Sequence, residues 1–263
     1  MIQKKITYDL IGDIAILKFP FEWKSRQKKS YAKKFLKENK CVETVLDKSG
    51  KIKGRLRKTQ MSYVAGKKKR KTLHKENHCS FVLDVDEAYF SPRLSNERKI
   101  ISEEIVKKVN SKKKKILIMF AGVAPFPVVI AKRLREERKK GEIISNELNR
   151  KANEYASDNI SLNRLGDYVK IVQGDSAKLF GKLKEKFDFI VMPRPNLKGT
   201  FLHSALKLSK KGTRIYYYGF GDKKEVLEEI KRDAGKKIGQ IKIRPAGEIA
   251  PYKFRWLAEF IVK

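Results

Sequence analysis

Three short stretches carry residues able to bind a nucleoside. FAGVAPF (120–126) follows the apolar run Ile116-Leu117-Ile118-Met119 and leads into PVVIAKRLREER. Gly122 lets a backbone come close to a ligand, and Pro125 suits the first turn of a helix, where its missing N–H costs nothing. A second apolar run ends Ile143-Ile144-Ser145-Asn146-Glu147, and a third ends Val172-Gln173-Gly174-Asp175. An acid placed like Glu147, after a glycine turn and its helix, can accept from both hydroxyls of a ribose. One placed like Asp175 can accept from an adenine amino group. Taken singly, each acid is equally well explained as a helix cap. The turn and both acids in series are not. FAGVAPF lacks GxGxxG, which argues against a nicotinamide or flavin. A fourth stretch, Ser95-Asn96-Glu97-Arg98, offers a proton acceptor beside a cation, and its spacing alone favours an ion pair at a helix start.

These residues need a scaffold that aligns strand ends. From about residue 99 the pattern alternates: strands at 116–120, 142–146, 168–173, 187–192 and 213–219, helices at 125–139, 149–163, 199–210 and 222–235. Two last strands, near 239–245 and 253–262, form an antiparallel pair. Alternation of this kind predicts a mainly parallel sheet covered on both faces, with ligands at the carboxyl ends of the strands. A glycine turn and two acids on successive strand ends is the layout of a Rossmann-like, class I S-adenosylmethionine-dependent methyltransferase. Tyr216, Tyr217 and Tyr218 fall inside a strand, so core packing is expected of at least alternate members. Asn159 and Asn163 read as caps or surface residues.

Upstream the character differs. Residues 1–84 hold 23 Lys/Arg and 8 Asp/Glu, a net of +15, leaving +18 for the other 179 residues. ITYDLIGDIAILKF reads as a hairpin turning at Gly12-Asp13, and SRQKKSYAKKFLKENK as a helix with Tyr31, Phe35 and Leu36 on one side. The rest alternates short strands with basic turns, and the run Lys67-Lys68-Lys69-Arg70-Lys71 reads as a hairpin tip touching phosphate. The expected organisation is a small basic α+β RNA-contacting domain over 1–84 and a catalytic domain over 85–263.

Composition narrows the partners. Lys and Arg number 63 against 30 Asp and Glu, a net charge of +33. Hot-adapted surfaces balance lysine with glutamate, and this excess is unbalanced, so a polyanion is the expected partner, nucleic acid ahead of a membrane surface. No apolar stretch is long enough to span a membrane, and the N-terminus lacks a secretory segment, which points to a cytoplasmic protein. Two cysteines without C-x-x-C and only three histidines argue against zinc.

YFSPRLSNERKII (89–101), ILIMFAGVAPF, NELNRKANEYASDNISLNRL (146–165), GDSAKL and FDFIVMPRPNLKGTFLHSALKL occur in that order, after IGDIAIL, GRLRKTQ and HKENHCSF. Over nearly its whole length the chain resembles the archaeal and eukaryotic type of tRNA (guanine-37-N1)-methyltransferase. The resemblance implies a linking domain, then a Rossmann-like catalytic domain that binds S-adenosylmethionine and needs no metal. It implies a cofactor site from Phe120, Ala121, Gly122, Val123, Glu147, Leu148, Asp175, Ser176, Pro193 and Pro195. Glu97 would take the N1 proton of guanine, Arg57 would stabilise charge on O6, and Arg98 would support it. Tyr89 and Phe90 are candidates to stack on a flipped guanine, with Arg93 and the basic run 67–70 also contacting tRNA. The family often carries a further N-terminal domain at the outer corner of tRNA. This chain begins at the linking domain, so recognition is expected to lean on the anticodon stem-loop, by a monomer. Three departures stand out: Ile118 where many relatives have Asp, Ala124 for a second glycine, and Met192-Pro193-Arg194-Pro195 for Asn-Leu-Pro, which removes an amide. Retention of Arg93 and Glu97 favours methyl transfer over aminocarboxypropyl transfer. The alternatives are a methyl- or aminocarboxypropyltransferase acting on a wyosine precursor at position 37, and a non-catalytic RNA-binding relative.

Overall fold

Gly12 turns the first two apolar runs into a hairpin, β1 (Thr7–Ile11) with β2 (Ile14–Lys18), in antiparallel register with Ile11 opposite Ile14. Its φ is +56°, and a Cβ there would lie 2.5 Å from the Leu73 carbonyl oxygen, so only glycine fits. The computed structural model describes residues 6–48, 61–110, 112–197, 199–250 and 253–263, and the chain divides into two units, Met1–Ser95 and Asn96–Lys263.

In the first unit, α1 (Ser25–Glu38) lays Tyr31, Ala32, Phe35 and Leu36 against Ala15, Leu17, Val45 and Val64, the side expected from their spacing. The helix is the crossover that lets β3 (Thr44–Asp47) pair parallel to β2, and β4 (Ser62–Gly66) closes a four-stranded sheet of order β1-β2-β3-β4. β5 (Lys71–Glu76) and β6 (Cys79–Asp84) form a separate ribbon. Its turn is Asn77-His78, both at positive φ, as a two-residue hairpin requires. The basic run 67–70 is therefore not a hairpin tip. It links β4 to β5, which belong to different sheets.

The second unit begins with α2 (Ser95–Lys108) and then alternates: β7 (Lys114–Met119), α3 (Pro125–Glu136), β8 (Gly141–Glu147), α4 (Arg150–Leu162), β9 (Val169–Gln173), β10 (Phe187–Met192), α5 (Leu202–Lys207), β11 (Ser209–Gly221), α6 (Lys223–Ala234), β12 (Lys242–Ala250) and β13 (Lys253–Ile261). The seven strands run β12-β13-β11-β10-β7-β8-β9, parallel from β11 to β9 and antiparallel for the last pair. Two helices are shorter than their sequence spacing suggests. α3 stops at Glu136, ahead of Arg138 at φ +52°, and α5 starts only after Phe201 at φ +61° and yields Ser209 onward to β11.

Ile116, Leu117, Ile118 and Met119 are all 0% exposed, as a strand covered on both faces demands. One face packs Leu117, Met119, Ile190 and Tyr217 against Leu202 of α5 and Val226 and Ile230 of α6. Alternation turns Tyr216 and Tyr218 to the opposite face, where Tyr218 meets Phe126 of α3. All three tyrosines are buried, not only alternate ones. Among the described residues no helix is long and apolar enough to cross a membrane.

Candidate active site

Register shows what shares the carboxyl edge of the sheet. Ser145, Ile118, Val191 and Tyr216 form one row across β8, β7, β10 and β11. Two residues further along each strand come Glu147, Phe120, Pro193 and Tyr218. The glycine turn, the first acid and the end of β10 therefore lie level at the edge where such sheets bind ligands.

The turn is built on left-handed backbone. Phe120, Gly122 and Ala124 have φ of +57°, +56° and +65°. Its neighbours hold it there. Ala121 N–H donates to the Asn146 carbonyl at 2.9 Å, and Gly122 N–H to Glu147 Oε2 at 2.9 Å. Glu147 Oε1 accepts from Asn149 N–H at 2.8 Å. The carboxylate thus takes one backbone donor on each oxygen and keeps capacity for two more, the demand of a ribose diol. Asn146, fully buried, donates to the Val172 and Gly174 carbonyls at 2.9 and 3.0 Å and accepts from Ser176 Oγ at 2.6 Å. That lacing binds the end of β8 to the end of β9. Asp175 accepts from Ala177 N–H at 2.9 Å, so it does cap the following turn while standing at the strand end. Leu148 is half-buried beside Glu147. These donors and acceptors, gathered at the strand ends, are of the kind a nucleoside requires.

Asn159 is neither cap nor surface. It is 0% exposed and donates to the Val123 carbonyl at 3.0 Å, fastening the turn to α4. The signal was present in the helical spacing, since Asn159 shares the buried face of α4 with Ala152, Ala156 and Ile160. Asn163 is the C-cap residue, as expected. Asn159→Ala would strand a buried carbonyl and is expected to cost about 1–3 kcal/mol, read from the urea midpoint. Ala124→Gly acts the other way. It relieves an L-residue held at φ +65° and is expected to gain about 1 kcal/mol by the same measurement.

At the end of β10, Pro195 is buried, and Arg194 is 4% exposed and turned inward. It donates to the Leu197 and Gly199 carbonyls at 3.0 and 3.3 Å and to Glu229 Oε1 at 2.8 Å, with its guanidinium 5.0 Å from the Tyr217 ring centre. The cation folds the loop after β10 back on itself.

Glu97 opens α2 and is 7% exposed. Its partner is not Arg98. Arg244 grips it as a fork, Nη1 to Oε1 at 2.7 Å and Nη2 to Oε2 at 3.1 Å, and the Tyr218 hydroxyl adds a contact to Oε2 at 3.3 Å. Arg244 and Tyr218 both stand opposite Leu257 of β13, so the three strands set them on one face of the sheet. Burial works against the Arg244 charge, but the Glu97 carboxylate raises its pKa above the usual guanidinium value. Burial, with the Glu97 charge added, pushes the Tyr218 phenol well above its ordinary range, so it stays a donor. Arg98 is 1% exposed and lies 6.0 Å from the Phe126 ring centre. Arg244 sits in the stretch IKIRPAG, which carries no sequence signal for it.

The remaining candidates lie in the first unit. Arg57 falls outside the described residues. Phe90 is core, packed 6.0 Å from Phe81 and 4.9 Å from His74 by ring centres, which removes it as a stacking candidate. Tyr89 is half-buried and lines a cavity of about 40 Å³ with Asp9, Lys48 and Met61. Arg93 is exposed and donates to Asp9 at 2.6 Å. Lys67 and Lys69 pair with Glu43 at 2.8 and 2.7 Å, and Lys69 also with Asp13 at 2.5 Å. Hydrogen bonds from Lys67 and then Lys69 hold the Glu43 pKa down at about 2. Arg70 pairs with Asp86 at 2.7 Å, while Lys68 is exposed and makes no ion pair among the described residues. The basic run is thus partly neutralised by the unit's own carboxylates.

Comparison with known proteins bears on all of this. Residues 72–243 match the TRM5/TYW2 methyltransferase domain and residues 3–69 the TYW2 N-terminal domain. The chain is 31% identical to a tRNA (guanine(37)-N(1))-methyltransferase Trm5b of Pyrococcus abyssi, across 97% of this chain and 74% of that protein. It is 32% identical to a tRNA (guanine(37)-N(1))/4-demethylwyosine(37)-methyltransferase Taw22 of Nanoarchaeum equitans, across 95% and 97%. The crystal structure of wild-type Trm5b from Pyrococcus abyssi superposes with a TM-score of 0.82 at 30% identity, across 98% of this chain and 75% of that one. With a domain match over most of its length and the sheet order such a domain requires, the chain belongs to the TRM5/TYW2 family of S-adenosylmethionine-dependent tRNA methyltransferases.

Proposed function

We propose that the protein transfers the methyl group of S-adenosylmethionine to N1 of guanosine 37 of tRNA. The observation that carries this reading is the placement of Glu97. Through Tyr218 its carboxylate is tied to the sheet edge that also bears the glycine turn and Glu147.

Guanine N1 carries a proton and is a poor nucleophile until that proton leaves, so a base must lie within hydrogen-bond reach. Glu97 supplies the acceptor. Arg57, on the strength of the family resemblance, offsets the charge that builds on O6, with Arg98 in support. S-adenosylmethionine supplies a methyl group already activated on a sulfonium. Phe120 to Val123 and Pro193 and Pro195 hold its amino-acid end, while Glu147 with Leu148, and Asp175 with Ser176, hold the nucleoside. Tyr89, Arg93 and Lys67 to Arg70 contact the RNA, and among the described residues Lys68 is the member of that run without an ion pair. A chain of net +33 should show steep salt dependence of tRNA affinity, with log K falling by about 0.7–0.9 per phosphate contact for each tenfold rise in salt.

Labelled S-adenosylmethionine with two transcripts, guanosine or adenosine at position 37, tests the reading. Label entering the first alone supports it. Label in neither, with S-adenosylhomocysteine still bound, would overturn it. A second reading, methylation of 4-demethylwyosine at the same position, is favoured by the match across nearly all of Taw22 and by Pro193-Arg194 replacing the amide of relatives. Label entering tRNA that carries that base would establish it, alone or as a second activity.

A further inference from the structure

Arg244 and Tyr218 have no part in the cofactor site proposed above, yet both aim at one carboxylate. We propose that they are positioning residues for Glu97, and that they reserve Oε1 as the oxygen that takes the N1 proton. The proposal rests on Glu97 being the proton acceptor.

The asymmetry of the contacts carries it. Oε2 has two donors, Arg244 Nη2 and the Tyr218 hydroxyl, and so both its lone pairs are used. Oε1 has one among the described residues, Arg244 Nη1 at 2.7 Å, and keeps one lone pair. A fork of this kind fixes the plane of the carboxylate as well as its place. The backbone sets Arg244 in place. It keeps its register opposite Leu257, as Tyr218 does from the other side, and pairing on the β12 edge slips only beyond Pro245.

The step balances. The N1–H bond breaks and the proton passes to Oε1. The electron pair left on N1 forms the bond to the methyl carbon, and the pair of the old carbon–sulfur bond stays with sulfur. While the proton is in flight, negative charge moves from Glu97 to the purine, and it is discharged when N1 takes the methyl group.

A double-mutant cycle tests the proposal, using the full chain, a guanosine-37 transcript and single-turnover rates. Arg244→Met is expected to slow transfer by about 10–100-fold, the scale of a displaced catalytic group, with tRNA and S-adenosylhomocysteine affinities within twofold. Arg244→Lys, a charge without a fork, should recover part of that loss. Tyr218→Phe should cost a smaller factor and serves if Arg244→Met fails to fold. In a Glu97→Gln background, Arg244→Met should add less than a twofold change, because both act through one carboxylate. Additive losses, or a wild-type rate for both Arg244→Met and Tyr218→Phe alongside an inactive Glu97→Gln, would overturn this proposal alone. A Glu97→Gln enzyme at the wild-type rate would overturn the base assignment and this proposal with it.

Discussion

Glu97→Gln is expected to slow methyl transfer to guanosine 37 by about 10²–10⁴-fold, the usual contribution of a positioned general base. The substitution keeps the shape of the side chain and removes its capacity to accept a proton as a base. It also turns an NH₂ group toward donors that now converge on Glu97, namely both Arg244 nitrogens and the Tyr218 hydroxyl. One arm of the fork must then lose its acceptor, so a lower unfolding midpoint should accompany the loss of rate. Affinity for S-adenosylhomocysteine, which we propose rests on Glu147 and the glycine turn, should stay within twofold. That pairing separates the base from a general structural role: a variant that loses cofactor affinity in step with rate would show Glu97 to be scaffolding. Glu97→Asp adds a further check. It keeps the charge but withdraws it by one methylene, and a large loss there would show that position counts as much as basicity.

Much of this architecture can be read from the chain because the forces that set it are local. The apolar run Ile116 to Met119 is buried on both faces, so its strand character is continuous in sequence. Gly12 announces a turn by backbone geometry alone. Glu147 and Asp175 are legible as strand-end acids, because Glu147 closes β8 and Asp175 stands two residues past β9. Other parts are hidden for definite reasons. α2 does not stand out, because its buried side includes Glu97, Arg98 and Ser102 and the apolar period is broken where the site needs polar groups. Arg244 meets Glu97 across 147 positions of sequence, and no local pattern carries such a contact. The basic run at 67–70 resembles a hairpin tip until the topology shows β4 and β5 in different sheets. Ala124 shows the opposite case: the missing second glycine is visible in sequence, and the structure puts a left-handed φ, which favours glycine, at that position.

Glu147→Ala is the second variant expected to have a large effect, read in cofactor affinity rather than in tRNA affinity. The carboxylate is used twice over. In the folded chain it holds Gly122 N–H and Asn149 N–H, at 2.9 and 2.8 Å, and in the proposed complex it also takes the two ribose hydroxyls. Hydrogen bonds to a charged group are worth about 1.5–3 kcal/mol each, so losing the ribose pair alone should weaken S-adenosylhomocysteine binding by about 10²–10⁴-fold. Release of the Gly122 N–H adds to this, since the turn must then find its left-handed path without an anchor. Glu147→Gln should fall only partly short of the alanine variant. A single amide oxygen cannot serve two backbone donors on opposite sides of the side chain, and the amide nitrogen would confront one of them. Asp175→Ala should cost less, because the adenine amino group proposed to meet it offers one contact where the ribose offers two. Calorimetry well below the unfolding midpoint distinguishes lost contacts from lost fold, and tRNA affinity measured beside it should be unchanged. If Glu147→Ala bound S-adenosylhomocysteine within threefold of the parent, the ribose assignment would be wrong. Glu147 would then be a strut for the glycine turn, and the diol would have to be sought on another strand end.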